Sequence, residues 1–220
     1  MKNLIWAEWK KLRRSSIVLF TVIATILIAA FVLFAGQSVT IEGYYLNDPG
    51  WYMTMVQPWA TILILPAMIS MLGSYMICRE EQDDTLKSLL LIPLNETALT
   101  AAKMIVTFVL SVLIHLLLFV ITLSTELILH YSNLSIGMVL SFFKSYLLEG
   151  VGVFLAVSPI IALVSYTKKS YWLALLLAEI YSFAGLFMSM SFFRWTVYEH
   201  VQPDKIFLSY YGPVRCRWLL

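Results

Sequence analysis

The amino-acid sequence predicts an all-α membrane protein, a bundle of transmembrane helices with a surface helix at its N-terminus. Hydrophobic residues make up 60% of the chain and charged residues only 13%. The mean hydropathy of +0.83 lies far above that of an ordinary soluble domain. The apolar residues also form long runs, and a bilayer core about 30 Å thick is crossed by roughly 20 helical residues. Together these observations indicate a chain whose solvent is lipid.

The first sixteen residues predict a helix that lies along the membrane surface. One side of a helix over 1–16 collects apolar side chains and another collects most of the basic ones, namely Leu4, Ile5, Trp9 and Leu12 against Lys10, Lys11, Arg13 and Arg14. Trp6 and Trp9 suit the headgroup layer, and the basic side chains can reach the phosphates of anionic lipids, so membrane lipid is an expected partner. The alternative is a basic tail that only orients the first span.

Five apolar stretches are long enough to span the membrane. Two contain no charged residue and three contain one or two ionisable groups, and in chain order they are 17–35, 54–78, 104–129, 137–166 and 171–193. The second contains Pro58 and Pro66, which remove backbone donors and favour a kink in a transmembrane helix. A kink there is either a hinge for opening or a feature of the packing.

Basic residues alternate between the loops. Lys and Arg occur before the first span, between the second and third and between the fourth and fifth, but not in the loops after the first and third spans. The positive-inside rule therefore predicts a multi-pass protein with a cytoplasmic N-terminus.

The segment 79–103 between the second and third spans is the most densely charged part of the chain. An acidic start, a leucine face and a terminating Pro93 predict a short amphipathic helix outside the membrane. Leu86, Leu89 and Leu90 are spaced to seat in a groove on a cytoplasmic protein. The alternative is a surface helix that shields the cytoplasmic end of the bundle.

Two motifs in this sequence resemble the ABC-2 type transporter permeases, and within them the bacitracin-export and lantibiotic-immunity subunits. After the second span they are Arg79-Glu80, Asp84-Thr85-Leu86-Lys87-Ser88, Ile92-Pro93 and Lys103. At the N-terminus the motif is Ala7-Glu8-Trp9-Lys10-Lys11-Leu12-Arg13-Arg14-Ser15. Both occur at the topological positions where that family has them.

The resemblance implies an ABC-2 type helix bundle in a bacterial plasma membrane, driven by a separate cytoplasmic ABC ATPase subunit. It implies that Glu80 to Leu91 form the coupling helix, and the residues expected to couple to the ATPase are Glu80, Glu81, Asp84, Thr85, Leu86, Lys87, Leu89 and Leu90. It also implies a pathway formed with a second permease copy or a paralogue, and an antimicrobial peptide or other amphipathic compound as cargo.

The chain departs from the family pattern in two places. Asp84 stands where a glycine is frequent, and 194–220 is too polar and too short for the sixth span that family members usually have. The basic residues of this irregular tail would lie outside after five crossings, against the charge rule. We expect a final span lost by truncation or frameshift near Gly212-Pro213; the alternative is a re-entrant pair packed against protein.

Ionisable groups within the spans are the other site candidates, because a charge at the bilayer centre costs at least about 2.5 kcal/mol. His115, Glu126, Glu149 and Glu179 are expected either to line a pathway or to tie helices together by hydrogen bonds. Their spacing forms no evident proton relay.

The sequence contains no phosphate-binding loop, zinc-protease motif or nucleophile elbow, so we expect no enzyme activity, cofactor or metal. A net charge of +2 gives no indication of nucleic-acid binding. The predicted function is a permease subunit that exports or clears an amphipathic compound. Alternatives are a non-transporting sensor or assembly subunit and an ion-coupled carrier.

Overall fold

The computed structural model describes residues 2–13, 15–38, 50–82, 96–130, 134–167 and 171–200. Every regular element in these ranges is helical: α1 (Lys2–Arg13), α2 (Ser16–Ser38), α3 (Trp51–Trp59), a π-helical segment (Ala60–Ile64), α4 (Leu65–Gln82), α5 (Glu96–His130), α6 (Ile136–Thr167) and α7 (Trp172–His200). The predicted all-α membrane fold is confirmed. Within the described residues four stretches are long and apolar enough to cross a membrane: Ser16–Gly36, Trp51–Arg79, Thr97–His130 and Ile136–Val164.

The fifth predicted span falls on α7, whose described apolar part, Trp172–Phe187, is shorter than the other four. A fifth crossing therefore stays a prediction. The helix continues through His200, into the tail predicted as irregular, because the sequence has no Gly or Pro between Gly185 and Pro203 to stop it. Residues 201–220 lie outside the described residues. Both explanations of the tail, a lost final span and a re-entrant pair, therefore stay predictions.

The chain divides into two compact units, Met1–Ser182 and Phe183–Leu220, and the contacts described below belong to the first. In that unit α5 packs along α6, and α4 packs against both. The shared core is built from apolar side chains of α2 to α6, among them Ile28, Val56, Leu65, Leu118 and Val157.

The second membrane span is one rod made of α3, the π-helical segment and α4. It begins at Gly50, whose φ of 88° is a left-handed conformation that favours glycine. Pro58 lies inside α3 and Pro66 lies in α4, with the π-helical segment between them. The missing N–H of each proline removes a helical hydrogen bond, so the rod changes its bonding register at the place where the sequence predicts a kink.

The helices on either side of the predicted coupling segment 79–103 extend into it. The helix α4 extends through Gln82 and α5 already begins at Glu96, so Lys103 lies inside α5 and is 4% exposed. The run from Glu96 to Lys103 contains no glycine or proline, so nothing in the sequence interrupts the helix there.

The predicted N-terminal helix is present as α1, which packs on α5. Leu12 is buried in a small cluster with Leu72 and Met76 of α4 and Val106 and Leu110 of α5. The packed side of α1 differs in part from the predicted apolar side. Glu8 is buried and pairs with Lys11 at 3.0 Å, whereas Trp9 is 38% exposed.

Candidate functional site

Most of the predicted coupling residues lie outside the described residues: Asp84, Thr85, Leu86, Lys87, Leu89 and Leu90. Glu80 and Glu81 are in the last turns of α4, where only the backbone is described. Residues 83–95 also lie outside the described residues, but the helices on either side of them are described. The segment joins α4 to α5, and both helices contact Leu12 of α1 through Met76 and Val106.

Glu149 of α6 binds two side chains of the second membrane rod. Gln57 Nε2 donates to Glu149 Oε1 at 2.6 Å, and Thr61 Oγ1 donates to Oε2 at 3.0 Å. Gln57 and Thr61 are four residues apart, so one face of the rod presents both donors. Thr61 belongs to the π-helical segment, a kind of distortion that frequently occurs at functional sites.

This cluster lies deep in the predicted span. At about 1.5 Å per residue Glu149 is roughly 20 Å from the start of α6, well inside a hydrocarbon core about 30 Å thick. Its two partners are neutral, and within the described residues Glu149 has no basic partner. Among the described residues the carboxyl group is therefore held in place by hydrogen bonds from neutral groups and has no counterion. Such a group can bind a proton or a cationic ligand group.

Glu126 forms a second polar cluster, at the start of α3. Its Oε1 accepts the backbone N–H of Gly50 at 2.6 Å and lies 3.0 Å from His130 Nδ1. The side chain of Glu126 is fully buried, and among the described residues Oε2 has no hydrogen-bond partner. Because Gly50 is the N-cap of α3, the carboxylate stands at the positive end of that helix dipole.

Replacing Glu126 by alanine should destabilise the bundle, because it leaves the buried N–H of Gly50 without an acceptor. The expected cost is about 1–3 kcal/mol, seen as a lower thermal unfolding midpoint of the purified chain. Glu126→Gln keeps an acceptor oxygen and should recover much of the loss. Glu179→Ala is the matched control. A midpoint for Glu126→Ala equal to that of the control would show that the contact to Gly50 does not contribute.

His115 and Glu179 occupy different surroundings. His115 is fully buried, with Nδ1 2.8 Å from the carbonyl oxygen of Ser111, whereas its Nε2 has no partner among the described residues. The hydroxyl of Ser111 donates to the carbonyl oxygen of Gly150 at 2.7 Å, so α5 and α6 approach closely there. Glu179 of α7 is half-buried. No hydrogen bond among the described residues joins any two of the four predicted polar residues.

Four residues that supply the partners of the two carboxyl groups were not predicted from the sequence: Gln57, Thr61, Gly50 and His130. A signal was present for two of them. Gln57 and Thr61 are polar residues at i and i+4 in an otherwise apolar stretch that also contains Pro58. No comparable pattern marks Gly50, which contributes its backbone N–H.

Comparison with known proteins gives two findings. The profile of a family described as ABC-2 family transporter protein matches residues 4–185. The bacitracin transport permease protein BCRB of Bacillus licheniformis is 31% identical over 100 residues, which cover 46% of this chain and 48% of that relative. The chain thus matches about half the length of this curated relative. No solved structure matches the chain.

Proposed function

The chain belongs to the ABC-2 transporter family, and from this premise we propose that it is the permease subunit of an ABC transporter whose ATP is hydrolysed by a separate cytoplasmic subunit. The observation that carries the proposal is the family match over 4–185, a range that includes the four membrane-length helical stretches and the segment between α4 and α5. In this proposal the permease itself performs no hydrolysis.

The segment Glu80 to Leu91 is proposed as the coupling helix. Its leucine face, Leu86, Leu89 and Leu90, would seat in a groove of the ATPase, and Glu80, Glu81, Asp84, Thr85 and Lys87 would form its polar contacts. The continuity of the second rod supports this assignment, because α4 follows directly on the π-helical segment that carries Thr61. A displacement of the segment by the ATPase would therefore be transmitted along one rod to the Glu149 cluster.

The proposed cargo is an antimicrobial peptide or another amphipathic compound. The name of the Bacillus licheniformis relative, a bacitracin transport permease, supports this class. Glu149, Glu126, His115 and Glu179 are proposed as polar groups of the pathway or of the helix contacts around it. Among them we propose Glu149 as the group that meets cargo, since it is half-buried and side chains of another helix, Gln57 and Thr61, hold its carboxyl group in place.

The basic residues before the first span support a cytoplasmic N-terminus, which would put the coupling segment on the same side as the ATPase. We place the protein in a bacterial plasma membrane. A second copy of the chain or a paralogous permease would complete the pathway.

The proposal is tested by co-purifying the chain with candidate ABC ATPase subunits from the same organism. The wild-type chain should retain the ATPase, and Leu86→Asp and Leu89→Asp should each weaken retention about tenfold, equivalent to about 1.4 kcal/mol, because a carboxylate replaces an apolar anchor. Ser88→Asp is the matched control, since Ser88 lies on the opposite side of the predicted helix.

Failure of the wild-type chain to retain the ATPase would reject the permease assignment. Retention that Leu86→Asp and Leu89→Asp leave unchanged would reject only the coupling helix. The cargo class is tested separately, by the sensitivity of cells that express both subunits to bacitracin, which should fall relative to cells that express either subunit alone.

A further inference from the structure

An apolar groove lies open between α1 and α5. It has a volume of about 320 Å³ and is lined by Ile5, Trp6 and Trp9 of α1 and by Val106 and Val109 of α5. The only polar atoms on these five side chains are the two indole nitrogens. Trp6 is 65% exposed although tryptophan has the largest side chain of any residue, so the groove is a surface that the described residues leave uncovered.

The walls of the groove are held in place. Leu12, two turns along α1 from Ile5, is buried against Met76 and Val106, and Ile5 packs against the same cluster. The Glu8–Lys11 ion pair braces the helix between these anchors. The groove is therefore a shaped feature of the packed helices α1 and α5.

A positive charge stands at its rim. The ammonium nitrogen of Lys10 lies 4.6 Å from the centre of the Trp6 ring, over one of the groove's lining residues. The carboxylate of Glu8 is bound to Lys11, and Lys10 has no acidic partner among the described residues. The rim thus places a cationic group beside the apolar groove.

This combination matches one class of molecule. A phospholipid has a long apolar chain joined to a phosphate, and tryptophan is the residue that prefers the level where the two meet. A zwitterionic headgroup would bring its own cation close to Lys10, whereas a headgroup with net negative charge would not. We propose that the groove binds an acyl chain of an anionic phospholipid, with the phosphate paired to Lys10.

The proposal is tested on the full-length chain in nanodiscs, with lipids whose acyl chains carry bromine and quench nearby tryptophans. The contribution of Trp6 is the difference between the tryptophan fluorescence of the wild-type chain and that of Trp6→Phe. This difference reports on the groove. Brominated phosphatidylglycerol should quench it with about fivefold higher relative affinity than brominated phosphatidylcholine, the factor that corresponds to about 1 kcal/mol for one lysine near an anionic headgroup.

Two matched pairs of variants test whether the headgroup preference depends on Lys10 and whether the quenching depends on the groove. Lys10→Gln should bring the ratio of the two affinities close to one, whereas Lys144→Gln, which removes an exposed lysine from α6, should leave it unchanged. Val109→Phe should fill the groove and reduce quenching by both lipids. Leu113→Phe, about one turn further along α5 and also exposed, should not.

Several results would overturn the proposal. One is equal quenching by the two lipids in the wild-type chain, and another is a preference that survives Lys10→Gln. Absence of quenching by either lipid would mean that no acyl chain enters the groove. Because Lys10→Gln and Lys144→Gln leave all five lining side chains of the groove in the chain, these two variants keep the test decisive if a phenylalanine variant fails to fold.

Discussion

Replacing Gly150 by leucine should prevent stable assembly of the helix bundle, whereas the same replacement at Gly152 should be tolerated. A Cβ at position 150 would stand 3.1 Å from the Cα of Val112 and 3.4 Å from the Cβ of His115. The first of these contacts is with backbone, so α5 and α6 would have to move apart. A Cβ at Gly152 would meet nothing within 4 Å.

Separating α5 and α6 would also stretch the hydrogen bond from Ser111 Oγ to the carbonyl oxygen of Gly150. Overpacking a helix contact costs about 1–3 kcal/mol, occasionally more, and we place Gly150→Leu at or above the top of that range. Gly150→Ala should be intermediate, because a single methyl group requires a smaller shift. In membrane helices small residues are the ones that permit such close approach.

The measurement is the monodisperse fraction of detergent-extracted protein on size-exclusion chromatography, together with its thermal unfolding midpoint. Both should fall in the order Gly152→Leu, Gly150→Ala, Gly150→Leu. Equal values for Gly150→Leu and Gly152→Leu would show that α5 and α6 do not approach each other at this residue.

Replacing Glu149 by alanine should abolish transport and lower stability. The change removes the acceptor for both Gln57 and Thr61. It leaves these two side-chain donors without that acceptor inside an apolar span. Hydrogen bonds to a charged group contribute about 1.5–3 kcal/mol each; because this site is half-exposed, we expect a loss near the lower value. Stability is read from the thermal unfolding midpoint. Transport is read from the bacitracin sensitivity of cells that also express the ATPase.

Glu149→Gln separates the two roles proposed for this side chain. The amide keeps one acceptor oxygen, so most of the stability should return, but the negative charge that would meet a cationic cargo group is gone. We therefore expect Glu149→Gln to be stable and defective in transport, and Lys144→Ala, on the same helix, to be normal in both. Wild-type transport by Glu149→Gln would mean that Glu149 only ties α6 to the second rod.

The membrane class and most of the helices could be predicted from local sequence. The first predicted span, 17–35, differs from the apolar stretch Ser16–Gly36 by one residue at each end. Such agreement is possible because the cost of burying charge or unpaired backbone in hydrocarbon acts on each segment separately. The third span was predicted to begin at 104, whereas α5 begins at Glu96. Lys103 therefore lies inside a helix, and its place relative to the membrane stays a prediction.

Only one side of each polar contact was predicted from the sequence. A carboxyl group inside an apolar run is visible in any sequence, so Glu126 and Glu149 were identified, but their partners were not. Gln57 is 92 residues from Glu149, and Gly50 is 76 residues from Glu126. Contacts over such separations depend on which face each helix turns toward its neighbour. A helix such as α2, which is apolar on all sides, carries no pattern that specifies this.

By itself, then, the sequence determined that the chain is a helical membrane protein with a charged connection between its second and third spans. The free energy of moving a segment from water into hydrocarbon depends on the residues of that segment alone, so it can be read from local composition and order. Only the tertiary structure decided that Gly150 must lack a side chain, that Thr61 lies on a π-helical segment facing Glu149, and that α1 leaves a groove beside Lys10. Each of these depends on the distance and rotation between two packed helices, which close packing of the whole bundle fixes.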